Sequence, residues 1–375
     1  MIYFDHAAAV PVLAEVISSY PELLKKYSGN QEAAHQLGHT LNKELEDLGN
    51  MLFDILLPHA KAEQKACFFG SDTTELLNIT AHALGDKNAV CCSSVLEHVS
   101  VRTMLKRAFG KVSEFPLDKY GRIADMPADI AESRLIVITH VQSEIGVMQD
   151  LPALMKQLRR AAPQAVILLD MVQSSMLYEF PANTLLPDLL LISGAKTGAD
   201  SGAALLAMNS AAALLKNKLN DLRKKEYLIG KTNIVQAAAL VLSVQINSIT
   251  RIENAGQVHL LNDFLRSKLD NMVLPNGRMC RFTVPAEASA ENILHFMLPG
   301  YQAGVLVRMF SAEDIMLSSG SACQSESDEP SAVLQALSYS KSAAYSGIRV
   351  SLSGENTMKE AEIFVQKLQK ILQDY

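Results

Sequence analysis

The chain has 375 residues, 49% of them hydrophobic and 20% charged, with a formal net charge of −6. That balance excludes a disordered, collagenous or coiled-coil protein, and the length can bury a large core without disulfide or metal staples. A mildly acidic chain with no Trp and no basic run has neither the electrostatic footprint nor the stacking platform of nucleic-acid binding.

The opening, MIYFDHAAAV, carries an acid early and lacks the basic-then-apolar order of a signal peptide. Short, nearly all-apolar runs lie at residues 67–69, 89–93, 135–140, 165–170, 188–193 and 203–208. Such runs suit strands buried on both faces. Helical patterns lie between them, as with Leu151, Leu154, Met155 and Leu158. The alternation predicts an α/β domain over residues 14–251, with a mainly parallel sheet sandwiched by helices. Ligands in such sheets bind beyond the carboxyl ends of the strands. The residues there are Ser71, His98, Gln142, Ser143, Asp170, Ser193 and Lys196.

The uncharged stretch 232–250 includes Asn233, Gln236, Gln245 and Asn247, which suits a buried soluble helix better than a membrane span. From about residue 252 the rhythm changes. A helix is predicted over 255–270, strand pieces over 281–284 and 293–296, and a terminal helix with Phe364, Leu368, Ile371 and Leu372 on one stripe. Together with residues 1–13 these are assigned to a smaller α+β domain. Residues 320–330, GSACQSESDEP, read as a polar loop. The five cysteines form no C-x-x-C pair, so neither a disulfide framework nor a zinc site is predicted. The expected compartment is the reducing cytoplasm, with no membrane attachment.

Several residues carry chemistry. Asp170 ends a buried strand; it is either a helix N-cap or a carboxylate held under a cofactor to pair with a protonated ring nitrogen. Lys196 follows another such strand in LLLISGAKTG. A lysine near an aspartate at the edge of a parallel sheet fits the Schiff-base lysine of a pyridoxal phosphate enzyme. The turn Gly70, Ser71, Asp72, Thr73, Thr74 is either a plain capped turn or an anion site at a helix N-terminus. His98 is a turn residue or stacks on a planar cofactor. Cys323, alone among hydroxyls in SSGSACQS, is the best nucleophile candidate, whereas Cys67 sits in an apolar run. Arg349, in an otherwise apolar strand piece, is a paired structural ion or a carboxylate clamp.

In this order the pieces resemble the cysteine desulfurases, a branch of the class V aminotransferase fold, over nearly the whole chain. YFDHAAAVPV resembles Y-L-D-N-A-A-T-T-P, and NQEAAHQLG resembles N-P-x-S-x-H-x-x-G. GSDTTELLN is similar to S-G-A-T-E-x-x-N, and VLEHVSV carries E-H-x-x-V. HVQSEIGVMQDL, LDMVQS and SGAK are similar to N-N-E-x-G-x-x-Q, D-x-x-Q and S-x-H-K. SSGSAC is the strongest match and marks the subgroup with a long cysteine loop that delivers sulfur to other proteins.

The resemblance implies a fold type I aminotransferase architecture, pyridoxal 5′-phosphate as cofactor, L-cysteine as substrate, a sulfur-acceptor protein as partner, and a homodimer. It gives Lys196 the covalent link and proton transfer, Asp170 the pyridine nitrogen, Gln173 the ring hydroxyl, and His98 stacking. It gives Thr73, Thr74 and Ser193 the phosphate, with Lys231 reaching the partner subunit's phosphate. Arg349 and Ser143 fall at the substrate carboxylate. Cys323 takes the sulfur as a persulfide, leaving alanine. The chain departs from the pattern at Ala195 for His, Ser143 for Asn, Asp72 for Gly, Leu228 for Arg and Lys231 for Thr. Those departures leave open a weakly active or non-catalytic paralogue that binds a partner. Selenocysteine lysis or transamination is the alternative chemistry.

Overall fold

The computed structural model describes residues 1–225, 230–270, 272–320 and 330–375. Seven strands form the central sheet. Their spatial order is Lys65–Gly70, Ala203–Met208, Leu189–Ser193, Val166–Asp170, Ser133–Thr139, Asp86–Ser93, Phe109–Glu114. Ala203–Met208 runs antiparallel to both neighbours, and every other pairing is parallel. All six predicted runs lie in this sheet. The seventh strand, Phe109–Glu114, is not among them. It is an edge strand with only Phe109 and Ser113 buried, so its run lacks an apolar signal.

The apolar runs come from burial of both faces. Leu135, Val137, Leu168 and Leu189 enter one core. Their alternate neighbours Ile136, Ile138, Ile167 and Leu190 enter the core on the opposite face. With period-2 geometry, two buried faces make the sequence read as a continuous apolar run. Helices Gln36–Leu56 and Leu151–Ala161 cover one face through Leu52, Phe53, Leu154 and Leu158. Helices Thr73–Leu84, Val99–Ala108 and Asn209–Lys224 cover the other.

The expected break near residue 252 is absent. One helix runs from Ile234 to Leu269, joining the stretch 232–250 to the helix predicted over 255–270. No proline interrupts it, and Gly256 lies within it without breaking it. Its first half buries Ala237, Leu240 and Val244 in the large core. Its second half buries Val258, Leu261 and Leu265 in a separate core with Phe4, Phe296 and Val350. The helix is long and apolar enough to cross a membrane, but it packs both halves into protein cores.

Around the second core a three-stranded antiparallel sheet has the order Gly347–Ser351, Ile293–Met297, Arg281–Phe282. The predicted strand 281–284 is thus only two residues long. The terminal helix Met358–Asp374 starts at a Thr357–Glu360 capping box and buries Phe364, Leu368, Ile371 and Leu372, in agreement with its stripe. The N-terminus joins the two parts. Ile2–Tyr3 pairs with Ile315–Met316, and Asp5 bridges Ser351. The Val10 and Leu13 N–H groups then bond Ala195 and Gly198 carbonyls, each at 2.9 Å.

Gly146 locks the loop after Ser133–Thr139 to the small sheet. Its φ is +74°, and an added Cβ would lie 2.5 Å from the Ile293 carbonyl oxygen. Gly146→Ala therefore combines left-handed strain with a backbone clash and should cost roughly 2 kcal/mol. An unchanged urea unfolding midpoint for that variant would refute this account.

Candidate active site

A cavity of about 230 Å³ opens beyond the carboxyl ends of the parallel strands. Each strand delivers the residues just past its end. Asp170 is the last residue of its strand and turns into Val172 and Gln173. Ser193 ends its strand, and a single 3-10 turn then places Ala195 and Lys196. Thr73 begins the helix after Lys65–Gly70, and His98 caps the helix after Asp86–Ser93. Ser143 lies beyond Ser133–Thr139, and Arg349 comes from the small sheet. All of these line the one cavity. Thr74 is exposed outside the lining. Lys231, also outside it, lies 3.8 Å from Glu32. Cys323 and Leu228, with most of the polar loop expected over 320–330, lie outside the described residues.

The Asp170 carboxylate is 7% exposed and accepts the Val172 N–H at 2.8 Å. Burial pushes its pKa up to about 6. No ion pair reaches it among the described residues. Lys196 donates to the Ala8 carbonyl, and Gln173 donates to the Ala7 carbonyl at 2.9 Å. The N-terminal segment is thus one wall of the cavity.

His98 Nδ1 accepts the Ser100 N–H at 3.3 Å and lies 2.8 Å from the Ser100 hydroxyl. Burial, and then the Lys196 charge, lower its pKa, which keeps the ring neutral at pH 7. Behind the strand ends sits Glu97, buried, its carboxylate held by the Thr139 N–H at 3.2 Å and the Thr139 hydroxyl. Burial, more than the nearby Asp170 charge, pushes Glu97 up to about 8.

At the turn before helix Thr73–Leu84, Asp72 is the N-cap and accepts the Glu75 N–H at 2.9 Å. Glu75 in turn accepts the Ser71 N–H at 2.7 Å and its hydroxyl at 2.9 Å. The first-turn N–H groups of Thr73 and Thr74 have no intrahelical acceptor, an arrangement that suits an anion. Arg223, which no sequence motif singles out, bonds the Thr232 hydroxyl and sets its charge against Glu32 and Glu75.

Arg349 is 1% exposed, with one arm on Asp5 at 2.7 Å and the other on the Ser143 carbonyl at 2.9 Å. Of its two readings the structure shows the paired ion. Asp5 stands at the aspartate of the opening motif, YFDHAAAVPV, a position with no role assigned from sequence, although an acid in the apolar opening and a lone arginine in an apolar strand are natural partners. Gln142, expected at the strand edge, spends its side-chain oxygen closing a turn: it accepts the Glu144 and Ile145 N–H groups, both at 2.8 Å.

Pyridoxal 5′-phosphate fits this arrangement. A buried carboxylate lacking a cation suits a protonated ring nitrogen, a lysine amine shares its cavity, and a helix N-terminus opens on the same space.

Residues 2–364 match the family described as Aminotransferase class-V. A NifS/IcsS protein homolog of Lactobacillus delbrueckii subsp. bulgaricus is 24% identical over 387 residues, covering 100% of this chain and 98% of that protein. The cysteine desulfurase IscS of Pectobacterium carotovorum is 25% identical, covering 98% of this chain and 92% of that protein. The solved NifS-like protein of Rickettsia africae superposes with a TM-score of 0.80 at 22% identity, covering 100% of this chain and 99% of that one. That likeness carries the fold.

Asp170 gives a pH test on the cofactor-free protein. Its folded pKa of about 6 lies above its ordinary 3.8. The folded state therefore holds an extra proton between those values. This group's contribution to stability falls as pH rises from 3.8 to 6, by up to about 3 kcal/mol for a shift of about two units. Asp170→Asn should raise the unfolding free energy of the cofactor-free protein at pH 7 by about 1–3 kcal/mol. The same variant should bind pyridoxal phosphate more weakly. A variant no more stable at pH 7 than the parent would show that the burial cost is met elsewhere.

Proposed function

The chain belongs to the class V aminotransferase family, whose cofactor is pyridoxal 5′-phosphate, and on that premise we propose that it is a cysteine desulfurase. It converts L-cysteine to L-alanine and carries the sulfur as a persulfide on Cys323, for transfer to an acceptor protein. The observation that carries this reading is the convergence of Lys196, Asp170 and Arg349 on one cavity at the strand ends. The cysteine desulfurase and NifS-type names of the relatives support it.

When bound, the cofactor supplies the electron sink for bond cleavage in the substrate. Lys196 holds it by its amine and moves protons. Asp170 keeps the ring nitrogen protonated. Gln173 bonds the ring hydroxyl, and His98 stacks on the ring. Thr73, Thr74 and Ser193 hold the phosphate, with Lys231 acting on the partner subunit's phosphate across a homodimer. Arg349 receives the substrate carboxylate in exchange for Asp5, beside Ser143. The Cys323 thiolate attacks the substrate sulfur. The new S–S bond forms as the substrate's C–S bond breaks, and the carbon fragment takes a proton and leaves as alanine.

The scheme divides the chain in two. Residues 14–251 form the cofactor-binding unit. Residues 1–13 and 252–375 form the unit that carries the arginine and the cysteine. The protein is placed in the cytoplasm, where its thiols stay reduced.

Incubation with L-cysteine and a reductant should release sulfide and leave a persulfide on Cys323. Cys323→Ala should abolish both while the bound cofactor keeps its absorption. Persulfide on that variant would remove the assignment. Borohydride reduction of the loaded protein should fix the label on Lys196, and label on another lysine would overturn its role.

Ala195 and Ser143 replace a histidine and an asparagine of the family pattern. Restoring both, with Ser143→Asn and Ala195→His, should raise kcat/KM by about tenfold, the worth of roughly one charge-assisted hydrogen bond of about 1.5 kcal/mol. No gain in a protein that releases no sulfide would favour the partner-binding paralogue.

A further inference from the structure

Behind Lys196 lies a second cavity, of about 60 Å³, whose wall includes Ala7, Val172, Gln173 and Lys196 from the first. His6 and Asn292 line it as well. His6 is 7% exposed, and neither ring nitrogen makes a hydrogen bond. The Asn292 side-chain oxygen is also buried without a partner. Three orphaned polar atoms therefore meet in one space. Buried polar atoms are almost always satisfied by protein or by ordered water. The volume suits about two waters, at roughly 30 Å³ each. The exposed Glu355 lines it too, so the same cavity touches both Lys196 and the solvent-facing surface.

We propose that this cavity is a water chamber that passes protons between Lys196 and bulk solvent, with His6 as the positioning residue that holds its waters. The proposal rests on the reading of Lys196 as the cofactor lysine. A proton leaving Lys196 moves to a chamber water, which hands one on to the next and out past Glu355. The return runs in reverse, and nothing is oxidised or reduced. His6 is an anchor for this water, not an acid. Burial lowers its pKa to about 4 against the opposing pull of the Tyr3 backbone, Asn356, Asp5 and Glu360. The Tyr3 carbonyl and the Asn356 side chain come close enough to bias the ring toward charge, yet among the described residues neither ring nitrogen has a partner in good hydrogen-bond geometry. The Tyr3 ring packs edge-on at 5.0 Å and closes that side. A neutral imidazole both donates and accepts, as does the ligand it would hold.

Two measurements test this on the full chain loaded with pyridoxal phosphate. In a high-resolution crystal structure, ordered waters should lie within about 3 Å of a His6 ring nitrogen and the Asn292 oxygen; a dry cavity overturns the proposal. In deuterated buffer, His6→Leu should slow exchange of the Cα hydrogen of L-alanine by about tenfold. Cofactor affinity should not change, and His6→Gln, which still bonds water, should recover most of the rate. Equal exchange in the parent and the leucine variant overturns the proposal. So does a glutamine variant that keeps its waters but loses its exchange, an outcome readable even if the leucine variant fails to fold. Exchange needs no sulfur chemistry. A protein that exchanges alanine but releases no sulfide fails the desulfurase reading and leaves the chamber standing. If the parent shows no exchange, the ordered waters decide alone.

Discussion

A carboxylate buried at the end of a central strand, without a cation to pair with among the described residues, is the constraint around which this molecule is arranged. Asp170 is 7% exposed and holds one hydrogen bond to its side chain. Burial alone favours its neutral form. The surrounding backbone leaves it no escape. Its strand pairs on both sides, its carbonyl accepts the His140 N–H, and Met171 is tied back to Leu191. A fold that fixes an acid this firmly where it is disfavoured has stored an affinity for a positive group. Anything that supplies a protonated ring nitrogen there relieves a cost the unliganded chain already bears.

The second constraint is that the cavity closes only where two packing units meet. The large sheet supplies Asp170, Ser193 and Lys196, while Arg349 arrives from the small sheet and Asp5 from the N-terminus. The N-terminal carbonyls of Ala7 and Ala8 hold Gln173 and Lys196. A chain start that pairs with the small unit thus reaches across and orients side chains of the large one. The single helix Ile234–Leu269 does the same job on a larger scale, because each half is buried in a different core. Movement of one unit against the other would alter the Arg349–Ser143 bond and the Lys196 contact together.

Burial on both faces decides how much of this fold a sequence can display. Strands covered on each side leave continuous apolar runs, so the runs ending at Asp170 and Ser193 are plain. The edge strand Phe109–Glu114 buries one residue in three and leaves no such trace. The helix across residue 252 reads as two because its middle turn carries Arg251, Glu253 and Asn254 in place of apolar periodicity, yet helical backbone needs no apolar residue to continue. Lys196 and Asp170 are legible because each stands at the end of a strand. The Asp5–Arg349 pair spans 344 residues, and no local pattern records a partner so distant. His6 and Asn292 are invisible for the same reason: an orphaned atom is a property of packing.

The departures from the family pattern fall unevenly, and the reason is chemical. Asp170, Gln173, His98 and Lys196, the residues the resemblance places around the ring, are all retained and all line the cavity. Ser143 falls where the resemblance places the substrate carboxylate, and Asp72 where it places the phosphate. There, two carboxylates already occupy the turn, Asp72 on the Glu75 N–H and Glu75 on Ser71. Groups that hold an anion each contribute a separable amount, commonly about one or two kcal/mol, and a loss at one position can be offset by a cation elsewhere. Arg223 beside Glu75, and Lys231 on the surface, are cations of that kind. The electron sink has no such slack. Without the carboxylate at the ring nitrogen or the lysine amine, the chemistry stops instead of weakening. Divergence is therefore expected to collect at the anion-binding end, which is where this chain has it.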